Sequence, residues 1–374
     1  MKPVTLIKNN LKNIFGWRTK RKIVVFSIDD YGNVRIASKT ARDSMQKAGL
    51  NVTKNRFDQF DALEDADDLT GLYDTLISVK DKNGNNPVFT AFTVPANIDF
   101  EKMHDTHYTD YYYELLPDTY NKLTGYNNVF DLWKDGIHKK LIYPQFHGRE
   151  HLNIKVLMEG LHEFDKEIIV SLNNMSLGAI SKKKYSTISY NAAFDFNDFS
   201  ENKYLMEIIK DGLKVFEKVF GFRANNFNAP GACSHHCLEQ TLKDGGIQYI
   251  DTPIIKNEHQ GNGKFKKIYN ALGKKNEYDQ IYLIRNCVFE PGADRSRDWV
   301  DYCLKQIETS FRWNKPANIS SHRVNFSGHI EPANREKGLN ILGRLLKEII
   351  KKWPDVEFMT SNELGDLIAS TSEN

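Results

Sequence analysis

The chain has 374 residues, of which 40% are hydrophobic, enough for a substantial core in one large or two ordinary domains. Its 51 basic and 49 acidic residues give a formal net charge of +2, which excludes the overall basic footprint of a nucleic-acid binder and favours a small-molecule or sugar partner. Four cysteines are too few for a disulfide framework. No run reaches the roughly 18 apolar residues that span a bilayer. The N-terminus has no apolar signal core. These features predict a cytoplasmic protein with reduced thiols.

Residues 1–20 predict a helical extension in front of the first strand. Val4, Ile7, Leu11 and Phe15 recur at near-helical spacing among lysines and arginines. One interpretation is a helix that packs on the domain and leads into the first strand. The other is an amphipathic helix at the inner surface of the membrane.

Short apolar runs rich in β-branched and aromatic residues alternate with longer amphipathic patterns along the rest of the chain. The runs that predict strands are 22–28, 87–94, 141–146, 167–172, 225–230, 247–253, 280–286 and 317–322. The main patterns that predict helices are 202–221, 236–246, 299–311 and 334–353. This alternation predicts an α/β fold with a mostly parallel sheet, and seven or so strands with helices outside favour a barrel.

Two aperiodic stretches interrupt this pattern, at about 99–138 and 173–200. We interpret them as long inserted βα loops. In a barrel, such loops shape the substrate site at the carboxyl ends of the strands.

The first predicted strand, KIVVFSI, runs directly into two adjacent acids, Asp29 and Asp30, followed by Tyr31 and Gly32. A buried strand that ends on two like charges indicates that a functional site uses them. After the strand at 141–146, a second polar constellation begins.

That constellation is a pair of histidines, His147 and His151, four residues apart where a helical pattern begins. This spacing lets both imidazoles reach one ion, although two surface histidines near a helix start remain an alternative. With Asp30 they make a set of two nitrogens and one oxygen that is typical of a catalytic divalent metal site with open positions. Asp29 then remains as a general base for a metal-bound water.

Two further elements follow predicted strands. His322 ends the run ANISSH and is, from the sequence alone, a proton donor, a ligand or a capped loop residue. Pro230-Gly231 breaks the chain after another strand, and the backbone N–H groups there suit an oxyanion. A rival metal site is CSHHC, in which Cys233, His235, His236 and Cys237 crowd four structural-zinc ligands into five positions.

Taken in order, these motifs resemble the polysaccharide deacetylase family, also called the NodB-homology group or carbohydrate esterase family 4. SIDDYG looks like its first motif, HGREH matches its His-x3-His, and NAPGA resembles its third motif. DRSRDW looks like its fourth, Asp-Trp motif, and ISSH like its last. The resemblance runs from about residue 22 to 325, and FMTSNELGDLI looks like the closing strand and helix. The resemblance implies a distorted (β/α)7 barrel, here over residues 21–370. It also implies an enzyme that uses a metal ion to remove an acetyl group from a sugar or polysaccharide.

The resemblance also implies roles for individual residues. Asp29 is the general base, and His322 is the general acid, oriented by Asp298. The metal ligands are Asp30, His147 and His151, and the ion is Zn²⁺, with Co²⁺, Ni²⁺ and Mn²⁺ as alternatives. The residues expected at the substrate are Tyr31, Asn228, Pro230, Gly231, Trp299 and Arg223.

Three of these assignments rest on departures from the family pattern. Tyr31 is inserted between the acids and Gly32. Asn228 stands where the family has an arginine that holds the base, and Arg223 is the candidate replacement. The unusual third motif keeps a second function open, a sugar-binding pseudoenzyme of the same fold. A third is a related barrel glycoside hydrolase with two carboxylates, for which Asp251 is the candidate second acid.

Overall fold

The computed structural model describes residue 7 and residues 9–181 and 188–371. In this part of the chain, nine strands form one sheet, and every neighbouring pair in it is parallel. These strands are β1 (Lys22–Tyr31), β2 (Phe89–Thr93), β5 (Ile142–Phe146), β6 (Asn226–Asn228), β7 (Tyr249–Asp251), β10 (Ile281–Leu283), β11 (Cys287–Val288), β12 (Ala317–His322) and β13 (Val356–Met359). Two antiparallel hairpins lie outside the sheet: β3 (Ala96–Ile98) with β4 (Tyr113–Leu115), and β8 (Ile255–His259) with β9 (Phe265–Tyr269).

The order of the strands is β10-β7-β6-β5-β2-β1-β12-β11, and β13 pairs with the first half of β1. The two ends of this path, β10 and β11, are not paired with each other in the described part of the chain, so the barrel is distorted. The predicted α/β fold class is confirmed. In the register of β1 and β12, Asp29 lies opposite His322, which puts two of the predicted catalytic residues at the same height.

Thirteen α-helices have both ends within the described residues. They are α1 (Lys39–Lys47), α2 (Arg56–Phe60), α3 (Ala66–Ile77), α4 (Phe100–Asp105), α5 (Leu116–Lys122), α6 (Val129–His138), α7 (Ile154–His162), α8 (Lys166–Asn173), α9 (Asn202–Phe220), α10 (Glu239–Asp244), α11 (Trp299–Arg312), α12 (Pro332–Lys352) and α13 (Ser361–Thr371). The long helices α9, α11 and α12 follow the predicted amphipathic patterns closely. Gly221, at φ 78°, ends α9 in the left-handed conformation that favours glycine.

Strand β1 is buried on both faces, and successive side chains enter different clusters. Val24, Phe26 and Ile28 belong to the core beneath the helices α3, α6, α11 and α12. Ile23 and Val25 pack in a second cluster with residues of β7, β10 and α13. The next side chains on this second face are Ser27, which hydrogen-bonds to side chains of β12 and α13, and then Asp29. The face therefore changes from apolar to polar toward the carboxyl end of the strand.

Several predicted elements differ from the observed ones. Residues 167–172 were expected as a strand but belong to helix α8, because Asp165 caps its first turn and Ile168, Ser171 and Leu172 share its buried side. A short apolar run does not distinguish a strand from a buried helix by itself. The stretch 99–138 is not aperiodic, since it holds α4, β4, α5 and α6. The hairpin β8–β9 was not predicted.

The predicted N-terminal helix and second insertion fall partly outside the described residues, which omit 1–6, 8 and 182–187. The rest of the N-terminal segment is tied to the barrel: the backbone N–H of Trp17 donates to Leu272 at 2.7 Å, and Lys315 Nζ donates to the carbonyl oxygens of Phe15, Gly16 and Trp17. Among the helices of the described chain, none has the length and apolar character to cross a bilayer.

Candidate metal centre and active site

The end of β1 carries a bulge that brings both of its acids to one cavity. Between Ile28 and Tyr31, β1 has one residue more than its partner β2. Asp30 lies in this bulge at φ 76°, a left-handed conformation that is uncommon outside glycine. In a regular strand, neighbouring side chains point to opposite faces. Because of the bulge, Asp29 and Asp30 both line the same cavity.

The two predicted histidines follow β5, but they do not lie on a helix. His147 and His151 belong to an irregular segment that ends where α7 begins at Ile154. Gly148 turns the chain between them at φ 113°. Their rings are 5.2 Å apart, centroid to centroid. The predicted pairing of the imidazoles is therefore observed, whereas the helical geometry expected to produce it is not.

Asp30, His147 and His151 form a compact set of buried donor atoms. Asp30 Oδ1 lies 3.6 Å from His147 Nε2 and 3.1 Å from His151 Nε2, and one donor atom from each residue lies within 4.8 Å of the others. For comparison, donor atoms around a tetrahedral Zn²⁺ are about 3.4 Å apart at the usual bond lengths. The separations in this set thus fit a divalent metal ion.

The hydrogen bonds of His147 support the same fit. Its Nδ1 donates to the carbonyl oxygen of Asn228 at 2.7 Å, which leaves Nε2 with a lone pair. This Nε2 is buried and has no hydrogen-bond partner among the described residues. An anionic oxygen and an unused imidazole nitrogen thus face each other.

Asp29 is held by two donors from other strands. Asn228 Nδ2 donates to Oδ1 at 2.9 Å, and Arg285 Nη1 donates to Oδ2 at 2.6 Å. Burial raises the pKa of Asp29, but Arg285, His147 and His322 together lower it below its usual value. Asp29 is therefore an oriented carboxylate.

Arg285 is itself fixed from behind by Asp251, the residue that ends β7. Its Nε donates to Asp251 Oδ1 at 3.2 Å. Burial raises the pKa of Asp251 to about 6, although Arg285 opposes the shift. Because its carboxylate binds Arg285, Asp251 lies behind the base and lines the neighbouring cavity rather than this one.

His322 faces Asp29 from β12 and has its own carboxylate partner. Its Nδ1 donates to Glu290 Oε1 at 2.6 Å, and its Nε2 lies 4.0 Å from Asp29 Oδ2. Arg56 and Asn325 hold the other oxygen of Glu290 at 2.6 and 2.7 Å. Burial lowers the pKa of His322, but Glu290 and the two aspartates raise it to about 9. At neutral pH this imidazole carries a proton on the nitrogen that faces the cavity.

These residues surround an open cavity of about 410 Å³ at the carboxyl end of the barrel. The predicted residues that line it are Asp29, Asp30, His147, His151, Asn228, Gly231 and His322. Phe57 adds an aromatic ring, which meets the imidazole of His322 edge to face at 5.4 Å. The cavity thus brings together Asp29 and His322, the candidate metal-binding set, and an aromatic side chain.

Tyr31 does not reach the cavity. Its side chain is 2% exposed and lies in the core, with its ring 5.6 Å from Trp133 in a T-shaped contact. The expectation that Tyr31 contacts substrate is corrected, because the bulge turns the two acids toward the cavity and Tyr31 away from it. The inserted residue is accommodated by the bulge.

The fourth motif is also corrected. Asp298 is exposed and caps α11, where its carboxylate accepts from the N–H groups of Val300 and Asp301 at 3.0 and 3.1 Å. His322 instead pairs with Glu290. Trp299 is buried in the core, and its Nε1 donates to the carbonyl oxygen of Asp294. The sequence Asp298-Trp299 looked like the Asp-Trp motif because a capping aspartate followed by a buried tryptophan at the start of a helix has the same local sequence.

Arg223 is not the replacement for the missing arginine. Its side chain is 73% exposed and pairs with Glu217 on α9, whereas Arg285 contacts the base. Pro230 is buried in a 3-10 turn (Pro230–Ala232) and does not line the cavity. Gly231, at φ 64°, does line it.

Arg285 and Glu290 were not predicted from the sequence, although both share the feature that marked Asp29 and Asp30. That feature is a charged residue at the end of an apolar run. Arg285 follows the apolar run of β10 by two residues, and Glu290 follows the short run of β11 by two. Both are charged residues just beyond a strand, as Asp29 and His322 are at strand ends. Their pairing partners, however, come from other strands and cannot be read from local sequence.

The rival CSHHC segment forms a different cluster from the expected one. The donor set in the described residues is His235, His236 and Glu258, without the two cysteines. His235 Nδ1 accepts from the N–H of Cys237 at 3.1 Å, so the proton of the neutral ring lies on Nε2. His236 Nδ1 donates to Glu258 at 2.9 Å. His235 thus turns a protonated nitrogen toward Glu258, whereas His147 turns an unprotonated one toward Asp30, and this difference disfavours a metal in the second cluster.

No family model matches the chain, and no curated protein matches it. Solved structures with a similar fold include a protein from Mycobacterium smegmatis assigned as a polysaccharide deacetylase (10% identity, 96% of this chain and 94% of that one, TM-score 0.47). Others are a GH57-type branching enzyme from Pyrococcus horikoshii (9%, 93% and 70%, 0.47) and the peptidoglycan deacetylase PdaC from Bacillus subtilis (10%, 94% and 94%, 0.35). At these identities and scores, the likeness is not evidence for an activity.

Proposed function

We propose that the protein is a metal-dependent hydrolase that removes an acetyl group, linked through nitrogen or oxygen, from a sugar or polysaccharide. The observation that carries this proposal is the presence of three separate functions around one cavity. These are an ionised carboxylate at Asp29, a protonated imidazole at His322, and the donor set Asp30, His147 and His151. A module that only binds sugar needs no base and acid facing each other.

Asp30, His147 and His151 would hold the ion, for which Zn²⁺ is our first choice among divalent metals because the donors are two nitrogens and one oxygen. When bound, such an ion polarises an acyl carbonyl and makes water acidic enough to lose a proton near neutral pH. The protein then has to place that proton, and to supply another one to the leaving group.

Asp29 accepts the proton of the attacking water in this proposal. Arg285 and Asn228 support this role, since they orient the carboxylate and keep it ionised. When the bond from the acyl carbon to the sugar nitrogen or oxygen breaks, the leaving atom needs a proton. His322 supplies it from Nε2, and Glu290 keeps the imidazole oriented and charged. The products are acetate and the free amine or hydroxyl.

The turn that contains Gly231 is the proposed place for backbone stabilisation of the acyl oxygen. The N–H of Ala232 already donates to the carbonyl oxygen of Ala229 at 2.8 Å, so this contact falls to Gly231. The proposed substrate contacts are therefore Gly231, Asn228 and Phe57, which all line the cavity.

The direct test is acetate release from N- and O-acetylated sugars by the purified protein after loading with Zn²⁺, with chelator-treated protein as the control. We expect release that a chelator abolishes and that added metal restores. Absence of release from every substrate, with sugar binding retained, would favour a pseudoenzyme. Release of reducing sugar instead of acetate would favour a glycoside hydrolase.

A further inference from the structure

The exposed hydrophobic side chains of the protein are concentrated in two segments. Six of the eleven large hydrophobic residues that the described chain exposes lie at the N-terminus or in the hairpin β8–β9. They are Ile7, Leu11, Phe15, Ile255, Phe265 and Tyr269, each between 51% and 76% exposed. Single exposed hydrophobic residues need no explanation, but a cluster does.

The two segments are neighbours in space. Leu11 and Phe15 line a small crevice together with Ile254 and Asn270, the residues that flank the hairpin side chains Ile255 and Tyr269. Ile255 and Tyr269 are paired across the hairpin. The N-terminal segment is fixed in this position by the hydrogen bonds of Trp17 and Lys315 described above. Leu11, Phe15, Ile255 and Tyr269 thus belong to one surface, which we call the apolar face, and Ile7 and Phe265 are further exposed side chains of the same two segments.

The hairpin has two different sides. Lys256, Glu258 and Ile268 line a cavity of about 280 Å³ next to the metal centre. Ile255, Tyr269 and Lys267 alternate with them along the strands and lie on the other side, toward solvent. The apolar face is therefore not the lining of the substrate site.

The same two segments are strongly basic in a chain of almost neutral net charge. Residues 1–28 contain seven lysines or arginines and no acid, and residues 252–276 contain six lysines and one acid, Glu258. Glu258 is buried on the other side of the hairpin. Lys12, Lys264, Lys267 and Lys274 have no ion-pair partner within the described ranges. Arg21, Lys22, Lys256 and Lys275 do have acidic partners, so unpaired positive charge in the two segments comes from the four lysines named before.

We infer that the apolar face binds peripherally to the surface of an anionic lipid bilayer. Apolar side chains that enter the headgroup region and lysines that meet anionic headgroups are the two contributions that hold a protein on a membrane surface. The charge of the face selects this occupant over a second copy of the chain. In a two-fold dimer, each residue meets the same surface of its partner, and the lysines of both copies would be brought together.

The test is co-sedimentation of the full chain with vesicles of phosphatidylcholine alone and of phosphatidylcholine with phosphatidylglycerol, each at low and high salt. We expect binding to the anionic vesicles, and weaker binding at high salt because salt screens the lysines. In the double variant Lys264→Gln/Lys267→Gln, each lost lysine should weaken binding about fivefold. Phe15→Ser should weaken it about tenfold.

The matched control is Phe164→Ser, since Phe164 is 83% exposed and lies in the turn between α7 and α8, outside the face. None of these variants touches the metal centre, and each should keep the thermal stability of the wild type. The inference is wrong if the wild type does not sediment with anionic vesicles at low salt, or if Phe164→Ser reduces binding as much as Phe15→Ser. It is also wrong if the wild type is a dimer that Phe15→Ser converts to a monomer, because the face is then a self-association surface.

Discussion

In the described part of the chain, two groups of histidine and carboxylate that could hold a metal ion lie in neighbouring cavities, and their hydrogen bonds suit an ion to different degrees. In the first, His147 donates from Nδ1 to a backbone carbonyl, and its other nitrogen faces Asp30 without a partner. In the second, the nitrogens of His235 and His236 that face the carboxylate both carry protons.

The carboxylates differ in the same way. Asp30 faces only the two imidazoles of its own cluster at 3.1 and 3.6 Å, whereas Glu258 also accepts from the backbone N–H of His236 and from Gln260, and pairs with Lys256. Residue types and spacing do not separate these clusters. The partner of the second nitrogen does for one ring of each cluster, since the Asn228 carbonyl takes the proton of His147 Nδ1 and the Cys237 N–H donates to His235 Nδ1, and these partners depend on tertiary structure.

The largest effect is expected when the proposed base is removed. Asp29→Asn keeps the shape of the side chain but cannot accept a proton, so kcat should fall by about 10²–10⁴-fold. Since Asp29 is not in the ligand set, metal content should stay at the wild-type level. Acetate release and elemental analysis of the same sample check both statements. Unchanged kcat would remove Asp29 from the mechanism.

Arg285→Met should have the next largest effect. The base loses the donor that orients it, which is expected to lower kcat by about 100-fold. Arg285 lowers the pKa of Asp29, so its loss raises that pKa and moves the acidic limb of the pH–rate profile to higher pH. Arg285→Lys is the control, because it keeps the charge next to Asp29 and Asp251. A profile of unchanged shape would mean that Arg285 acts only in folding.

Glu290→Gln tests the pairing that sequence reasoning missed. Glu290 raises the pKa of His322, which lies at about 9 in the folded protein. Without the negative charge of Glu290, the pKa of His322 should be about one to two units lower. The basic limb of the profile then moves to lower pH, while activity at low pH changes little. Asp298→Asn serves as the comparison, since it should weaken the cap of α11 and leave the profile unchanged.

The smallest effect on chemistry is expected in the second cluster. His236→Ala removes a donor from buried Glu258, which should lower the free energy of unfolding by about 1–3 kcal/mol. Metal content and kcat should be those of the wild type. Thermal unfolding and elemental analysis separate these outcomes. Loss of one bound ion in this variant would mean that the two clusters are more alike than their hydrogen bonds indicate.

Most of the strands could be predicted from the sequence, because the apolar runs of β1, β2 and β12 end on polar residues or turns. The same rule predicted that Asp30, His147 and His151 lie at one cavity with Asp29 and His322, which the structure shows, whereas their role as metal ligands stays a prediction. Helix α8 was missed because its run 167–172 is too short for the helical spacing of Ile168, Ser171 and Leu172 to distinguish it from a strand. The hairpin β8–β9 was missed because Lys256, Lys266 and Lys267 interrupt the apolar pattern of its two short strands.

The roles of Asp298, Arg223 and Tyr31 could not be predicted correctly because they depend on partners distant in sequence. Asp298 has the local pattern of a motif and of a helix cap, and only the position of Glu290 decides between them. Arg223 is close to Asn228 in sequence, but Arg285, 256 residues from Asp29, makes the contact. The buried position of Tyr31 depends on the bulge at the end of β1, and this bulge is visible only from the pairing of β1 with β2.

The proposal that Asp30, His147 and His151 bind a metal ion is tested most directly by metal content. The wild type, His147→Ala and His236→Ala are each loaded with Zn²⁺ and then desalted before the measurement. We expect about one ion per chain in the wild type and in His236→Ala, and a large loss in His147→Ala, because His147 turns an unprotonated nitrogen toward Asp30, whereas the nitrogen of His236 that faces Glu258 carries a proton. Full metal content in His147→Ala would contradict the assignment of Asp30, His147 and His151 as the metal centre.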